Sequence, residues 1–244
     1  MEEENLNPEL KANARRLMLE NAPGLFIVSI LFVAVFAVIS ELQFRLPGLV
    51  DAYSLYIGQV SGGTPHSARA LFSYLIPSGS AYAVVLLFLG IVFKVGFMSY
   101  CLNTTRGLPA DLRNIFDGFR LFLKTALIIV ISAALITAWS VLLIIPGIAA
   151  YYAYRQAFYI LLDDPGKGVL QCIRESKIMM RGHKVDLMLL DLSFILWFSL
   201  SALLSLLMFF SLAFSIPVIS IWLTPYTGLS RAAFYDRLLD SLIY

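Results

Sequence analysis

The chain has 244 residues, of which 59% are hydrophobic and 14% are charged, and its formal net charge is +2. Soluble domains carry about 25% charged residues, so this composition supplies too little polar surface for a water-soluble fold of this size. The two cysteines, Cys101 and Cys172, are too few for a disulfide framework and lack the spacing of a zinc site.

A run of 39 residues without a single charge, from Leu192 to Ser230, is the strongest feature of the sequence. One membrane-spanning helix needs roughly 20 apolar residues, so the run is long enough for two spans joined by a tight turn. The sequence therefore indicates an integral membrane protein.

Along the chain, the pattern predicts an all-α polytopic membrane protein in which residues 1–244 form a single membrane domain. The first apolar run exceeds the roughly 7–15 residues of a signal-peptide core, so we expect a span, although Val38 and Ser40 also fit a cleavage site. Pro146-Gly147 interrupts the apolar run between the third and fourth spans and predicts a tight hairpin there. The six predicted spans are residues 22–40, 81–102, 122–144, 147–162, 185–209 and 212–229, with an outer segment at 41–80.

Three segments share one plan, in which an amphipathic basic stretch precedes a span: Glu9–Asn21, Asp111–Thr125 and Val169–Gly182. We expect each to be an interfacial helix that leads into a hairpin of two spans, which gives three hairpins. The alternative is that any basic helix in front of a span shows this pattern.

The distribution of Lys and Arg orients the chain. With both termini in the cytosol, the inner segments hold fourteen basic residues, whereas the outer segments hold only Arg45 and Arg69. We therefore predict a multi-pass protein with both termini cytosolic.

Three charged residues fall inside predicted spans: Lys94, Arg155 and Asp191. A charge at the centre of a membrane helix costs about 2.5–3.5 kcal/mol on insertion scales, so each needs a partner. Counted from the cytosolic helix ends, the three residues lie at a similar depth in the inner leaflet, which predicts that Asp191 pairs with Arg155 or Lys94. Such a cluster is either a structural ion pair with Lys94 reaching back to the membrane surface, the polar floor of a substrate or ion cavity, or a catalytic group.

Residues 169–184 form the best candidate functional surface, because apolar and basic residues follow helical spacing on two different faces. This surface is either an ordinary positively charged flank or a docking site for anionic lipid or a cytosolic protein. Nucleic acid binding is not expected, since the chain has no basic soluble domain. The basic residues are Arg174, Lys177, Arg181 and Lys184.

The sequence contains no recognisable catalytic constellation. His66 and His183, the two histidines, lie on opposite sides of the predicted bilayer, so they cannot share a metal ion or a proton relay. No zincin, nucleophile-elbow or phosphate-binding glycine motif occurs. We therefore expect no catalytic residues, no metal and no cofactor, and an intramembrane enzyme is the least favoured alternative.

Several short runs in the second half of the chain, taken together, resemble a known family. The runs are 145–161, Asp163-Asp164-Pro165, 174–184, 190–197, Pro225-Tyr226 and 232–235. They resemble the bacterial membrane family called domain of unknown function 975, and more distantly the membrane region attached to some glycerophosphodiester phosphodiesterases. The resemblance implies a six-span protein of the bacterial cytoplasmic membrane. It implies no reaction, because no activity is established for the family and the hydrolase domain of the distant relative is absent from this sequence.

The leading expectation is an integral membrane protein without catalysis, which serves as an assembly or regulatory component of the bacterial cell envelope. Its expected partners are membrane lipids and a membrane or cytosolic protein. The alternative is a small transporter or channel with an inner-leaflet polar site, in which Pro217 and Pro225 break the sixth span.

Overall fold

The structure is a computed structural model that describes residues 6–21, 23–39, 56, 80–210 and 218–243. Every element in this part of the chain is a helix, so the predicted all-α class is confirmed for it. The helices are α1 (Leu6–Glu20), α2 (Pro23–Ile39), α3 (Ser80–Thr105), a 3₁₀ helix (Leu112–Phe116), α4 (Asp117–Leu142), α5 (Ile144–Tyr154), α6 (Ala157–Asp163), α7 (Val169–Met179), α8 (Lys184–Leu192), α9 (Ile195–Phe210) and α10 (Val218–Ile243).

The chain divides into two compact units. One comprises Met1–Val33 and Ile91–Tyr244, and the other is Ala34–Gly90. Nearly all of the predicted outer segment 41–80 lies outside the described residues.

Three described helical stretches are long and apolar enough to cross a membrane: Leu86–Thr105, Leu112–Leu142 and Lys184–Leu204. A fourth is obtained if Pro8–Glu20 and Pro23–Ile39 are counted together, but these two helices are bent by 102°. A bend of that size fits the predicted sequence of an amphipathic helix followed by a separate span.

The predicted fourth and sixth spans are not among these stretches. In the segment 147–162, a turn at Arg155 and Gln156 separates α5, which ends at Tyr154, from α6, which begins at Ala157. Of the segment 212–229, only the part from Val218 onward is described, as the beginning of α10. Six spans therefore stay a prediction.

The position of the predicted turn at Pro146-Gly147 is wrong by a few residues. The chain turns at Leu143, whose extended backbone (φ −160°, ψ 144°) separates α4 from α5. Pro146 lies in the first turn of α5, where a backbone N–H has no partner within the helix and proline therefore costs no hydrogen bond.

The predicted hairpin of α4 with α5 and α6 is nevertheless present. A Cβ on Gly147 would come 2.1 Å from Ser140 Oγ near the turn. At the other end, Lys124 Nζ donates a hydrogen bond of 2.5 Å to the carbonyl oxygen of Pro165. The two arms between these contacts have 17 and 19 residues. As helices they would be roughly 25 Å long, slightly less than the roughly 30 Å hydrocarbon core of a bilayer.

Two further antiparallel helix pairs follow the same plan. In the first compact unit, α2 packs on α3 through the rings of Phe32 and Phe97, whose centroids are 4.6 Å apart. A Cβ on Gly24 would lie 3.4 Å from the hydroxyl oxygen of Tyr100, so the two helices run in opposite directions.

The uncharged run also folds back on itself, because Ser201 Oγ of α9 lies 3.1 Å from Ser220 Oγ of α10, and the ring centroids of Phe194 and Tyr226, nearer the ends of the run, are 5.1 Å apart. The described residues thus contain helix pairs at all three places where the sequence predicts hairpins.

The α4–α5 turn exposes a row of large apolar side chains to the surroundings. In the described structure, Leu143, Ile144 and Ile145 are 67–81% exposed. An exposed apolar patch of this kind is typical of a surface that contacts lipid or another protein.

Close backbone packing joins α3 to the beginning of α4. A Cβ added to Gly96 would lie 2.1 Å from the carbonyl oxygen of Ile115, and one added to Gly118 would lie 2.0 Å from the carbonyl oxygen of Val92. Small residues at such crossings let two helix backbones touch, which is a common way to pack helices in membranes.

The change Gly96→Ala tests this crossing. Because the new methyl group meets backbone atoms that cannot rotate away, we expect a loss of about 1–3 kcal/mol in stability, measured as a lower melting temperature in detergent. Gly90→Ala in the same helix is the matched control, since its Cβ would lie 3.7 Å from the Phe36 ring. The control should be neutral or slightly stabilising, and equal melting temperatures for both variants would contradict the tight crossing.

Candidate functional site

A cluster of charged residues lies where α10 is close to the helix breaks of two apolar segments. Asp191 lies in the last turn of α8, just before the break at Ser193 and Phe194 that separates α8 from α9. Arg155 lies in the turn between α5 and α6, and Arg231 lies in α10. We call Asp191, Arg155, Arg231 and the neighbouring Lys94 the Asp191 cluster.

Both arginines of this cluster donate hydrogen bonds to the same carboxylate. Arg155 donates from Nη1 to Asp191 Oδ2 and from Nη2 to Oδ1, the latter at 3.4 Å. Arg231 donates from Nε and Nη2 to Oδ1 at 3.1 and 3.0 Å. The side chains of Asp191, Arg155 and Arg231 are 16%, 18% and 30% exposed. Charge-assisted hydrogen bonds are stronger than hydrogen bonds between neutral groups, and at partly buried positions water and salt screen them less.

The structure thus brings Arg155 and Asp191 together, as one of the two predicted pairings requires. The sequence pattern does not single out Arg231, because this residue is one of the fourteen basic residues of the predicted inner segments. A signal for it exists in the sequence: Asp191 and Arg231 are the opposite charges on either side of the uncharged run. When that run folds into a hairpin, its two ends necessarily lie close together.

Lys94 is near the cluster but does not pair with Asp191. It is exposed, and it makes no hydrogen bond or ion pair with any residue that the structure describes. The charges that act on its ammonium group are the guanidinium groups of Arg155 and Arg231, and both repel it.

A second ionic cluster joins the ends of α3 and α6 to α10. Arg106 donates hydrogen bonds of 2.6 and 3.1 Å to Asp163 and of 2.7 and 2.9 Å to Asp236. Tyr235 donates a 2.5 Å hydrogen bond from its hydroxyl group to Asp163 Oδ2. The hydrogen bond to Asp163 raises the pKa of Arg106, and burial raises the pKa of Asp236. Arg106 opposes the rise in the pKa of Asp236 by favouring its charged form.

The predicted basic surface does not form one helix. α7 ends at Met179, the chain turns at Gly182 with φ +87°, and α8 begins at Lys184. Arg174, Lys177 and Arg181 are exposed, whereas Lys184 is half-buried. The opposite face of α7 is buried, so its amphipathic character is confirmed; the buried residues there are Cys172, Ile173, Ser176 and Met179.

An open cleft of about 340 Å³ lies away from both the basic surface and the Asp191 cluster. Its walls come from α1, the end of α3 and α10. Three carboxylates and one arginine line it, namely Glu9, Asp236, Asp240 and Arg237. Within the described ranges, no group of three or more His, Cys, Asp or Glu residues is placed to hold a metal ion.

Residues 124–241 match the model of a family described as protein of unknown function (DUF975). The matched stretch is slightly less than half of the chain and begins in α4 and ends in α10. It includes Arg155, Asp191 and Arg231 but neither Lys94 nor Arg106. No curated protein and no solved structure matches the chain. The more distant resemblance to the membrane region of glycerophosphodiester phosphodiesterases stays a prediction.

Replacing Asp191 by Asn tests whether the carboxylate holds the three elements together. The variant leaves two guanidinium groups without an anion, and breaking a fully buried pair costs about 3–5 kcal/mol. Since Arg231 is 30% exposed, we expect about 2–3 kcal/mol, or roughly 5–10 °C in melting temperature.

The matched control for this prediction is Asp186→Asn on the same helix. Asp186 pairs only with His183 among the described residues, at 3.0 Å, and its side chain is 38% exposed. A melting temperature for Asp191→Asn as high as that of Asp186→Asn would show that the Asp191 cluster contributes nothing to stability.

Proposed function

We propose that this protein is a six-span, non-catalytic component of the bacterial cytoplasmic membrane that acts by binding lipid or a protein partner at its cytosolic face. In this proposal each of the three antiparallel helix pairs crosses the membrane twice. The apolar turn at 143–145 and the exposed side chains of α9, such as Leu196, then lie in lipid.

The observation that carries the proposal is the difference between two sets of basic residues. Arg106, Arg155 and Arg231 are paired with carboxylates inside the fold. In contrast, the basic residues of α7 and the turn that follows it are exposed and have no hydrogen bond or ion pair to any described residue: Arg174, Lys177 and Arg181. Lys94, Arg113 and Arg120 share this property, but they do not lie on α7.

Unpaired cations on the outside of an amphipathic helix are available to a partner. Basic residues near an anionic membrane surface contribute about 1 kcal/mol each. The buried face anchors α7 to the fold, because Ser176 Oγ donates a 2.8 Å hydrogen bond to the carbonyl oxygen of Ala153 in α5. The basic surface is therefore presented from a fixed position, as a docking site requires.

The experiment is purification from native membranes in mild detergent, followed by identification of the lipids and proteins that remain bound. The test variant carries Arg174→Glu, Lys177→Glu and Arg181→Glu. We expect it to lose a lipid or protein that the unchanged chain retains, because charge reversal turns attraction into repulsion.

The matched control carries Arg113→Glu and Arg120→Glu, two exposed basic residues of the segment before and at the beginning of α4. This control should retain the same partners as the unchanged chain. Purification of the unchanged chain without any specifically bound lipid or protein would contradict the proposal, as would full retention of those partners by the test variant.

A second candidate function is transport, and the helix breaks beside the Asp191 cluster favour it. Interrupted helices line the binding sites of many transporters. Gln156 at the first break is 1% exposed, and its Oε1 has no hydrogen-bond partner among the described residues. Flux of an ion or solute across vesicles that contain the protein, lost in Asp191→Asn, would favour this alternative.

A further inference from the structure

The Asp191 cluster contains more positive charge than its own residues neutralise. Arg155 and Arg231 share the carboxylate of Asp191, and Lys94 has no anion of its own, so the cluster has an excess of two positive charges. In an apolar surrounding, an excess of like charge is costly unless a counter-ion compensates it.

We propose that the cluster binds the phosphate group of an anionic phospholipid in the inner leaflet. The inference rests on the proposed function in one respect, since it requires that the described helices lie in a membrane. It concerns a different surface from the basic residues of α7.

Lys94 is the first indication that an external anion belongs here. Its side chain has no hydrogen bond or ion pair with any described residue, and two guanidinium groups repel its ammonium group. Lys94 also lies within Leu86–Thr105, one of the stretches that are apolar enough to cross a membrane. A phosphate oxygen near Lys94 Nζ would supply the missing anion.

The two arginines still have N–H groups to donate. Arg231 uses Nε and Nη2 for Asp191, which leaves Nη1 without a bond to any described residue. Arg155 uses Nη1 and Nη2, which leaves Nε. A guanidinium group presents five N–H donors in a planar arrangement that suits phosphate oxygens. Asp191 thus acts as a positioning residue that holds both donors in place.

The surroundings of the cluster favour a lipid over a soluble phosphate. Leu189, Leu192 and Ile195, which flank Asp191 in sequence, are 45–53% exposed. Acyl chains would cover such apolar surface, whereas inorganic phosphate would leave it bare. The rings of Tyr151 and Tyr152, with centroids 5.4 and 5.9 Å from Arg155 Cζ, cover part of that guanidinium group.

The experiment measures binding of phosphatidylglycerol to the purified full chain by native mass spectrometry and by the lipid-induced rise in melting temperature. Phosphatidylcholine is the lipid without net charge, and inorganic phosphate is the soluble source of the same group. We expect phosphatidylglycerol to bind and stabilise the unchanged chain, with little effect of the other two.

The test variant is Lys94→Gln, and Lys177→Gln on the basic surface is its matched control. Removal of one cation from the site should weaken phosphatidylglycerol binding about fivefold. Without added lipid, Lys94→Gln should melt at the same temperature as the unchanged chain or higher, because it removes a repelled charge. A lower melting temperature without lipid would instead assign Lys94 a structural role and overturn the inference.

The remaining outcomes separate this inference from the proposed function. If Lys177→Gln loses phosphatidylglycerol and Lys94→Gln does not, the basic surface is the lipid site and the inference is wrong, while the proposed function stands. If inorganic phosphate stabilises the chain as much as phosphatidylglycerol does, the phosphate group at the site does not need to come from a lipid, and the inference is wrong. If the unchanged chain does not prefer phosphatidylglycerol over phosphatidylcholine, the inference fails and the proposed function depends on a protein partner alone.

Discussion

A carboxylate packed among apolar helices is costly unless cations lie next to it, and Asp191 has two arginines as neighbours. Arg155 and Arg231 come from elements that are far apart in sequence, so one carboxylate fixes the positions of three segments at once. An arrangement that separated these segments would leave Asp191 or its arginines without a partner, which costs far more than a lost apolar contact. The ion pairs therefore favour this arrangement over other packings that bury a similar apolar area.

α10 is the element on which both ionic clusters depend. Arg231 pairs with Asp191, and Asp236 pairs with Arg106. The two residues are five positions apart, or about 7.5 Å along the helix. Their partners come from two other elements, since Asp191 lies in the last turn of α8 and Arg106 directly follows α3. The two pairs have reversed polarity and fix the register of α10 against α8 and the end of α3, because a shift of one turn would separate both pairs.

Much of this arrangement follows from the sequence, because charges in apolar runs are few. Depth along the predicted spans limits the partner of Asp191 to Arg155 or Lys94, and the length of the uncharged run predicts the pairing of α9 with α10. The sequence does not predict the helix breaks at Arg155–Gln156 and Ser193–Phe194, since no proline or glycine lies at either position. Contacts with distant residues determine them. The turn at Gly182 similarly divides the basic surface, whereas helical spacing alone predicts one continuous helical face.

The most direct test of the account is whether the ends of the uncharged run meet through an antiparallel pairing of α9 and α10. Cysteines replacing Ser201 and Ser220, whose Oγ atoms are 3.1 Å apart, should form a disulfide in isolated membranes when Cys101 and Cys172 are changed to Ala. Cysteines at Ser199 and Ser220 are the offset control, since a shift of two positions turns the side chain by about 200°. The account predicts a rapid cross-link for the first pair and none for the second. No cross-link for the first pair, or equal rates for both, would contradict it.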